Sequence, residues 1–237
     1  MKALILAAGL GKRLGDLTFD TPKCLLRVKD RPLLDILLTM LDKAGVNETI
    51  VVAGYLEDKV KEFCKNRCAV IVNDKYEITN NIYSVWSARL DLRGEDFVIL
   101  NCDVIYEEPL LVDFLRNEKR TACLIDNTVP FRENEFHVLV KQGKIVQYSK
   151  DISAKESGGE SAQLVKISAP DSKLYLDRIH ELVQDGLIQN YHISAYDRLI
   201  EKAIIWPIFT MGRKWYEIDN RQDYEHFLNH ADLMPRP

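Results

Sequence analysis

The sequence predicts an α/β protein: an open, mostly parallel, doubly wound sheet with helices on both faces, followed by an α+β region that faces a substrate. Three observations carry this. Apolar runs of strand length alternate with stretches of helical period. The first run, Ala3 to Ala8, contains no charge and meets a glycine-rich turn at once. Past about residue 128 the alternation gives way to a hairpin and longer helices.

Ala3 to Ala8 reads as a buried parallel strand, because a strand covered on both faces is apolar throughout. Pro32 to Ala44 has helical spacing, with Pro32 suited to the first turn and Gly45 to the stop. Thr49 to Ala53 is a second strand, Leu56 to Cys64 a helix with a charged outer face, and Ala69 to Val72 a third strand. Tyr83 to Leu92 reads as one helix, Phe97 to Cys102 as a strand ending at Asp103, Leu110 to Arg116 as a helix, and Thr121 to Ile125 as a fifth strand. Phe136 to Val140 and Ile145 to Tyr148 flank Gln142-Gly143, a hairpin turn. Ser157 to Ser161 is a flexible loop before the strand Gln163 to Ser168. Pro170 to Asp185 is an amphipathic helix stopped by Gly186, and Ser194 to Lys202 is another. Ala203 to Pro207 and Lys214 to Ile218 read as strands, and Arg221 to Leu228 as a closing helix.

Composition narrows the class. The 237 residues suit one α/β domain with a full core. A net charge of −4 with mixed signs lacks the basic stripe of a nucleic-acid binder. Five cysteines, an odd number in a chain of this length, argue against a disulfide framework. Gly9, Gly11, Lys12 and Arg13 interrupt the first apolar run too early for a signal peptide. No apolar stretch approaches the ~20 residues that span a bilayer. A soluble, cytoplasmic protein is expected, with a homodimer as the assembly allowed for.

Gly9, Gly11 and Gly15 let the backbone turn sharply and approach a ligand. Lys12, Arg13 and Lys23 surround that turn with cations, which together make a cradle for a polyphosphate. The spacing is neither G-x-x-x-x-G-K-[ST] nor G-x-G-x-x-G, since Leu14 stands at the sixth position. Asp103 falls at the carboxyl end of a strand, where open parallel sheets bind ligands. A carboxylate there, beside a polyphosphate, is a natural magnesium ligand; capping the next loop is the alternative. Glu217 and Asp219 lie two apart and share one face of a strand. They could join Asp103 around one metal, or Asp219 or Asn220 could cap the last helix. His226 and His230, at i and i+4, fit an exposed polar face better than a metal site lacking a third ligand.

The motif L-A-A-G-L-G-K-R-L, Leu6 to Leu14, followed by Pro22, Lys23 and Leu25, resembles the signature of the sugar-phosphate nucleotidyltransferases. The resemblance implies a Rossmann-like nucleotidyltransferase fold in which residues 1–128 bind the nucleotide and 129–237 the acceptor, within one domain. It implies that Leu6, Ala7, Ala8, Gly9 and Gly11 border the nucleotide, that Arg13 and Lys23 act on the triphosphate, and that Asp103 and Asp219 bind magnesium. It places Lys150 on the acceptor's phosphate. Glu160, in G-E-S, resembles the G-E-F that touches the sugar in hexose-phosphate members, though the phenylalanine is absent. The stretch Thr79 to Ser84, containing N-N-I-Y-S, resembles the phosphocholine cytidylyltransferase branch. There Asn80, Asn81 and Ser84 could read a pyrimidine edge, while either asparagine could equally cap a helix.

Tyr83, Trp86, Tyr191, Trp206, Trp215 and Tyr216 offer ring faces for a quaternary ammonium, with Trp215 and Tyr216 the first candidates beside Tyr83. Most buried rings simply fill a core. The expectation is a magnesium-dependent transfer of CMP from CTP to a small phosphorylated alcohol such as phosphocholine, or to a phosphonate. A sugar-1-phosphate uridylyl- or guanylyltransferase is the alternative enzyme. A catalytically idle nucleotide-binding subunit is the alternative of another class, and Asp103 with Asp219 counts against it.

Overall fold

The structure is a computed structural model, and it describes residues 1–46 and 48–229. Among the described residues the elements run β1 (Lys2–Ala7), β2 (Arg27–Val28), β3 (Arg31–Pro32), α1 (Leu33–Ala44), β4 (Glu48–Ala53), α2 (Glu57–Cys64), β5 (Ala69–Val72), α3 (Asn81–Ser87), α4 (Arg89–Leu92) and β6 (Phe97–Asn101). They continue with β7 (Val104–Tyr106), α5 (Glu108–Arg116), β8 (Ala122–Asp126), β9 (His137–Lys141), β10 (Lys144–Ser149), β11 (Glu160–Ile167), α6 (Ala169–Gln184), α7 (Tyr196–Lys202), β12 (Trp206–Phe209), β13 (Trp215–Glu217) and α8 (Arg221–Asn229). Short 3-10 turns occupy Lys12–Thr18, Lys23–Leu25 and His192–Ala195.

β5, β4, β1 and β6 pair in parallel in that spatial order. β1 has β4 on one side and β6 on the other, so a switch-point crevice opens at their carboxyl ends. β11 then enters antiparallel to β6 and pairs with β8, to which β12 is parallel. The β9–β10 hairpin joins where Glu160 faces His137. The hairpin turn expected at Gln142-Gly143 is present, with both residues at positive φ, 50° and 73°.

Alternation along β1 divides the core. Ala3, Ile5 and Ala7 face α1, α5 and Phe227 of α8. Leu4 and Leu6 face α3, α6 and α7 with their buried Ile82, Tyr175 and Leu199. Both faces of β1, β4 and β6 are covered, which is why their buried stretches are almost wholly apolar, whereas the edge strand β5 is partly exposed.

Several boundaries differ from the sequence reading. The helix expected from Tyr83 to Leu92 breaks at Ala88 (φ −92°, ψ 2°), where Arg89 begins a second short helix. Ser87 donates its hydroxyl back to the Tyr83 carbonyl at 2.9 Å, a local side-chain bond that competes with helix continuation. The last parallel strand starts at Trp206 rather than Ala203, because Ala203 ends α7 in extended backbone. The expected loop at Ser157 to Ser161 is strand from Glu160 onward. Gly159 has φ 138°, and a Cβ there would meet Ile125 Cγ2 at 2.6 Å, so this glycine lets β11 press against β8. β7 has no counterpart in the sequence reading. The five cysteines are free thiols. Among the described residues no helix is long and apolar enough to cross a membrane.

Candidate active site

The loop after β1 carries the first half of the site. Gly54 seats it: the Tyr55 amide donates to the Ala8 carbonyl at 3.1 Å, and a Cβ on Gly54 would lie 2.8 Å from that oxygen. Gly11, at φ 65°, caps the turn Lys12–Thr18, and the Thr18 hydroxyl donates to its carbonyl at 3.1 Å. A Cβ on Gly9 would meet no protein atom within 4 Å, so the loop presents bare backbone to the crevice there. Lys23 is held from both ends of P-K-C-L: Leu25 N donates to Pro22 O at 2.8 Å, and Cys24 is buried.

The carboxylates come from two distant segments that zip together. β13 pairs antiparallel with β7, matching Glu217 to Val104, and Ile218 N donates to Asp103 O at 2.9 Å. This sets Asp219 beside Asp103, although 116 positions separate them in the sequence (219 − 103). Asp103, Glu217 and Asp219 each bring a carboxylate oxygen within 4.8 Å of the others. The helix cap that competed for Asp219 is made otherwise. Asp223 accepts from the amides of Asp219 and Asn220 at 2.9 and 3.0 Å, and Asn220 Oδ1 accepts from Asp223 N at 3.0 Å. His226, near Tyr216, belongs to a neighbouring cavity, while His230 lies outside the described residues.

Cations and carboxylates meet across the crevice. Lys23 Nζ bonds Asp103 Oδ2 and lies 3.7 Å from Asp219 Oδ1, while Arg13 pairs with Asp219 Oδ2. Burial pulls the Lys23 ammonium down, but the charge and hydrogen bond of Asp103, aided by Asp219, outweigh it and hold its pKa above the ordinary value. Burial pushes the Glu217 carboxyl up to about 7, against a hydrogen bond from Gln163 and with the charges of Asp103 and Asp219 adding. Three carboxylates converge here against the two cations paired with them, Lys23 and Arg13. An all-oxygen donor set of this kind fits a magnesium ion.

Two cavities meet at this point. A crevice of about 480 Å³ is lined by Leu6, Ala8, Gly9, Gly11, Arg13, Lys23, Asn80, Asn81, Ser84 and Asp103, among others. Ala7 is not among them, because alternation turns it to the α1 side. A smaller chamber of about 250 Å³ holds Glu135, Phe136, Tyr148, Lys150, Tyr196 and Glu217. Arg13, Asn81, Asn101, Asp103, Tyr191 and Asp219 border both.

Asn80 caps α3, its Oδ1 accepting from Asn81 N at 2.7 Å. Asn81 Oδ1 accepts from His192 N at 2.8 Å, and Ser84 accepts from Asn73 Nδ2 at 3.2 Å. With both carbonyl oxygens committed to backbone, each asparagine has its amide NH₂ to offer the crevice, a donor.

Other expected site residues lie elsewhere. Glu160 is 3% exposed and takes the Arg132 guanidinium in a two-pronged pair, with Nε at 2.9 Å. It is removed from the chamber because Gly159 draws it into the β11–β8 seam. Tyr83 is buried against Trp86, 5.0 Å between centroids, and borders neither cavity. Trp215 donates Nε1 to Asp126 at 2.9 Å, and Tyr216 packs on Phe227 at 5.5 Å. Both line a third cavity beyond β13 rather than the chamber. Trp86 stacks on His180 and Trp206 lies under Lys119. Of the six rings singled out in the sequence, Tyr191 alone reaches the chamber; Phe136, Tyr148 and Tyr196 were missed. E-F-H carried no motif that could have marked Phe136, and I-V-Q-Y-S-K-D marked Lys150 rather than Tyr148.

A switch-point crevice that sets cations across from carboxylates defines an α/β enzyme of nucleotide-phosphate chemistry. Residues 3–168 match the family model described as a MobA-like NTP transferase domain, and the chain belongs to that family. It is a nucleotidyltransferase. The chain is 29% identical over 228 residues to the choline-phosphate cytidylyltransferase of Streptococcus pneumoniae, covering 94% of this chain and 95% of that protein. It is 28% identical over 250 residues to the CTP:phosphoglutamine cytidylyltransferase of Campylobacter jejuni, covering 95% and 98%. A solved structure of the CTP:phosphocholine cytidylyltransferase from Streptococcus pneumoniae has a TM-score of 0.82 and 25% identity, covering 98% of this chain and 99% of that one.

Proposed function

We propose that the protein is a magnesium-dependent cytidylyltransferase that moves CMP from CTP to a small phosphorylated amino-alcohol, such as phosphocholine, or to a close phosphonate. The observation that carries this reading is the chamber. Phe136, Tyr148, Tyr191 and Tyr196 wall it, Glu135 adds a carboxylate, and it opens onto the nucleotide crevice beside Asp103. Ring faces and a carboxylate together suit a cationic head group that has no hydrogen-bond donors. A volume of about 250 Å³ is below the ~300–1,000 Å³ of sites for drug-sized ligands, which favours a small acceptor. The names of the two relatives support CTP as the donor, and the NH₂ groups of Asn80 and Asn81 suit a base edge that presents acceptors, as cytosine does at O2 and N3.

An oxygen of the acceptor's phosphate attacks the α-phosphorus of CTP. The new P–O bond forms as the α–β bridge breaks, and pyrophosphate leaves carrying the electron pair. No covalent nucleophile is required, so the chain's work is positioning and charge stabilisation. Arg13 stabilises the departing pyrophosphate and Lys23 the α- and β-phosphates. Lys150, on the chamber wall, orients the attacking phosphate. Asp103, Asp219 and Glu217 would hold magnesium, which when bound supplies charge neutralisation to phosphate oxygens. The hexose-phosphate alternative drew on Glu160, which is buried under Arg132.

The test is a side-by-side measurement of pyrophosphate release from CTP and UTP with phosphocholine, aminoethylphosphonate, inositol 1-phosphate and glucose 1-phosphate. Preference for glucose 1-phosphate would overturn the acceptor assignment. Phe136→Leu removes a ring that borders the chamber but not the crevice. Because a desolvated cation–π contact contributes about 2 kcal/mol, it should raise the KM for phosphocholine roughly tenfold or more while leaving that for CTP unchanged.

A further inference from the structure

The chamber's ring faces are already in use. Lys150 follows β10, and its Nζ lies 4.8 Å from the Phe136 ring centroid and 5.5 Å from that of Tyr191. Those two rings meet edge to face, 5.2 Å between centroids at 80°. Phe136 immediately precedes β9, and Tyr191 precedes the turn His192–Ala195. The two arms of the β9–β10 hairpin and a distant segment at Tyr191 therefore converge to seat one ammonium. An acceptor's cationic end would use the same faces, and two like charges cannot share them.

Resting on the reading of the acceptor as a phosphorylated amino-alcohol, we infer that Lys150 is the resident occupant of the acceptor's cation seat and thereby a specificity-determining residue. A ligand bearing both ammonium and phosphate gives Lys150 a new partner as it takes the seat: the side chain swings from rings to phosphate. A ligand with the ammonium alone must evict Lys150 and offers nothing in return. The exchange penalises the unphosphorylated alcohol before any chemistry takes place. It assigns to one lysine both the recognition of phosphate and the rejection of ligands that lack it.

The probe is choline, titrated calorimetrically into the wild type, Lys150→Ala, Tyr191→Leu and the double variant. A cation–π seat at an exposed lysine corresponds to about two- to fivefold in affinity. Lys150→Ala should bind choline tighter by that factor and phosphocholine more weakly than the wild type. In the Tyr191→Leu background the gain for choline should shrink, since the seat itself is damaged; Tyr191 is 42% exposed, so that variant keeps its fold. Equal choline affinity in wild type and Lys150→Ala, or no binding to either, would overturn the inference. So would a gain of the same size without the Tyr191 ring, which would show simple charge repulsion. If the wild type transfers CMP to phosphocholine and choline affinity still ignores Lys150, the inference alone fails. If no phosphorylated amino-alcohol is turned over, the underlying reading fails.

Discussion

Replacing Lys23 by alanine strips a cation from between Asp103 and Asp219. The Lys23 side chain is 11% exposed, and those of Asp103 and Asp219 are 19% and 26% exposed. Stranding one member of a buried ion pair costs about 3–5 kcal/mol. Here the carboxylates keep some water, Arg13 still reaches Asp219, and Glu217 can carry a proton near neutrality. Solvent screening and that proton bring the expected loss to roughly 2–3 kcal/mol. At about 2–4 °C per kcal/mol for a chain of this length, Tm should fall by roughly 4–12 °C in the presence of chelator. A divalent cation can then take the vacated role, and a ligand that binds only the folded state raises stability. Scanning calorimetry with chelator and with magnesium should show a larger metal-dependent rise in Lys23→Ala than in the wild type, where Lys23 competes for the same carboxylates. Turnover should drop by about two to four orders of magnitude, since one charge-stabilising donor is worth ~10²–10³ and Lys23 also positions the phosphates. Melting curves identical to wild type in chelator would refute the electrostatic account. Near-normal turnover at saturating CTP would refute the catalytic one.

Asp103→Asn and Asp219→Asn should each abolish magnesium-dependent activity, because an amide is a poor ligand for a hard cation; since Asn220 and Asp223 make the cap, wild-type turnover in Asp219→Asn would remove Asp219 from the metal site. Arg132→Ala should destabilise the fold by about 1–2 kcal/mol, a buried-pair loss discounted because Arg132 is half exposed, while leaving the KM for the acceptor unchanged; a changed KM with an unchanged melting curve would return Glu160 to the acceptor site. His192, which burial lowers from 6.5 to about 3, stays neutral beside the Tyr175 hydroxyl at 2.9 Å. Its folded pKa is depressed, so its contribution is complete above about pH 6.5 and is lost as pH falls toward 3, at about 1.4 kcal/mol per unit. Urea midpoints at pH 7 and pH 5 should therefore differ more in the wild type than in His192→Gln, and equal differences would sink this assignment.

The parallel strands and the loop after β1 were legible because their signals are local: unbroken apolar runs, glycines, and P-K-C-L close behind. Asp103 was legible from its place after such a run. β7 was not, since Val104 to Tyr106 only extends the apolar character of β6, and what makes it a strand is β13, over a hundred residues later. Whether Asp219 caps the last helix was likewise undecidable from the sequence; Asn220 and Asp223 make that cap. Glu160 misled because the G-E pair has a packing cause, the close approach at Gly159, and because Arg132 lies 28 residues away. The tryptophans drew weight as the largest rings, whereas the chamber is walled by Phe136, Tyr148, Tyr191 and Tyr196, contributed by separate segments.

The pairing of β13 with β7 also bears on how the protein is made. Translation delivers the phosphate loop first and Asp103 next, but Glu217 and Asp219 more than a hundred residues after Asp103. A nascent chain can thus fold its parallel strands while two of the three carboxylates are still inside the ribosome. If Asp219 and Glu217 hold the metal as proposed, a chain cut before Trp215 keeps the phosphate loop and Asp103 but lacks the other two carboxylates, and should be inert. A series of stalled ribosomes would register this as activity that appears only once residue 219 has cleared the exit tunnel, and activity from any shorter chain would contradict it.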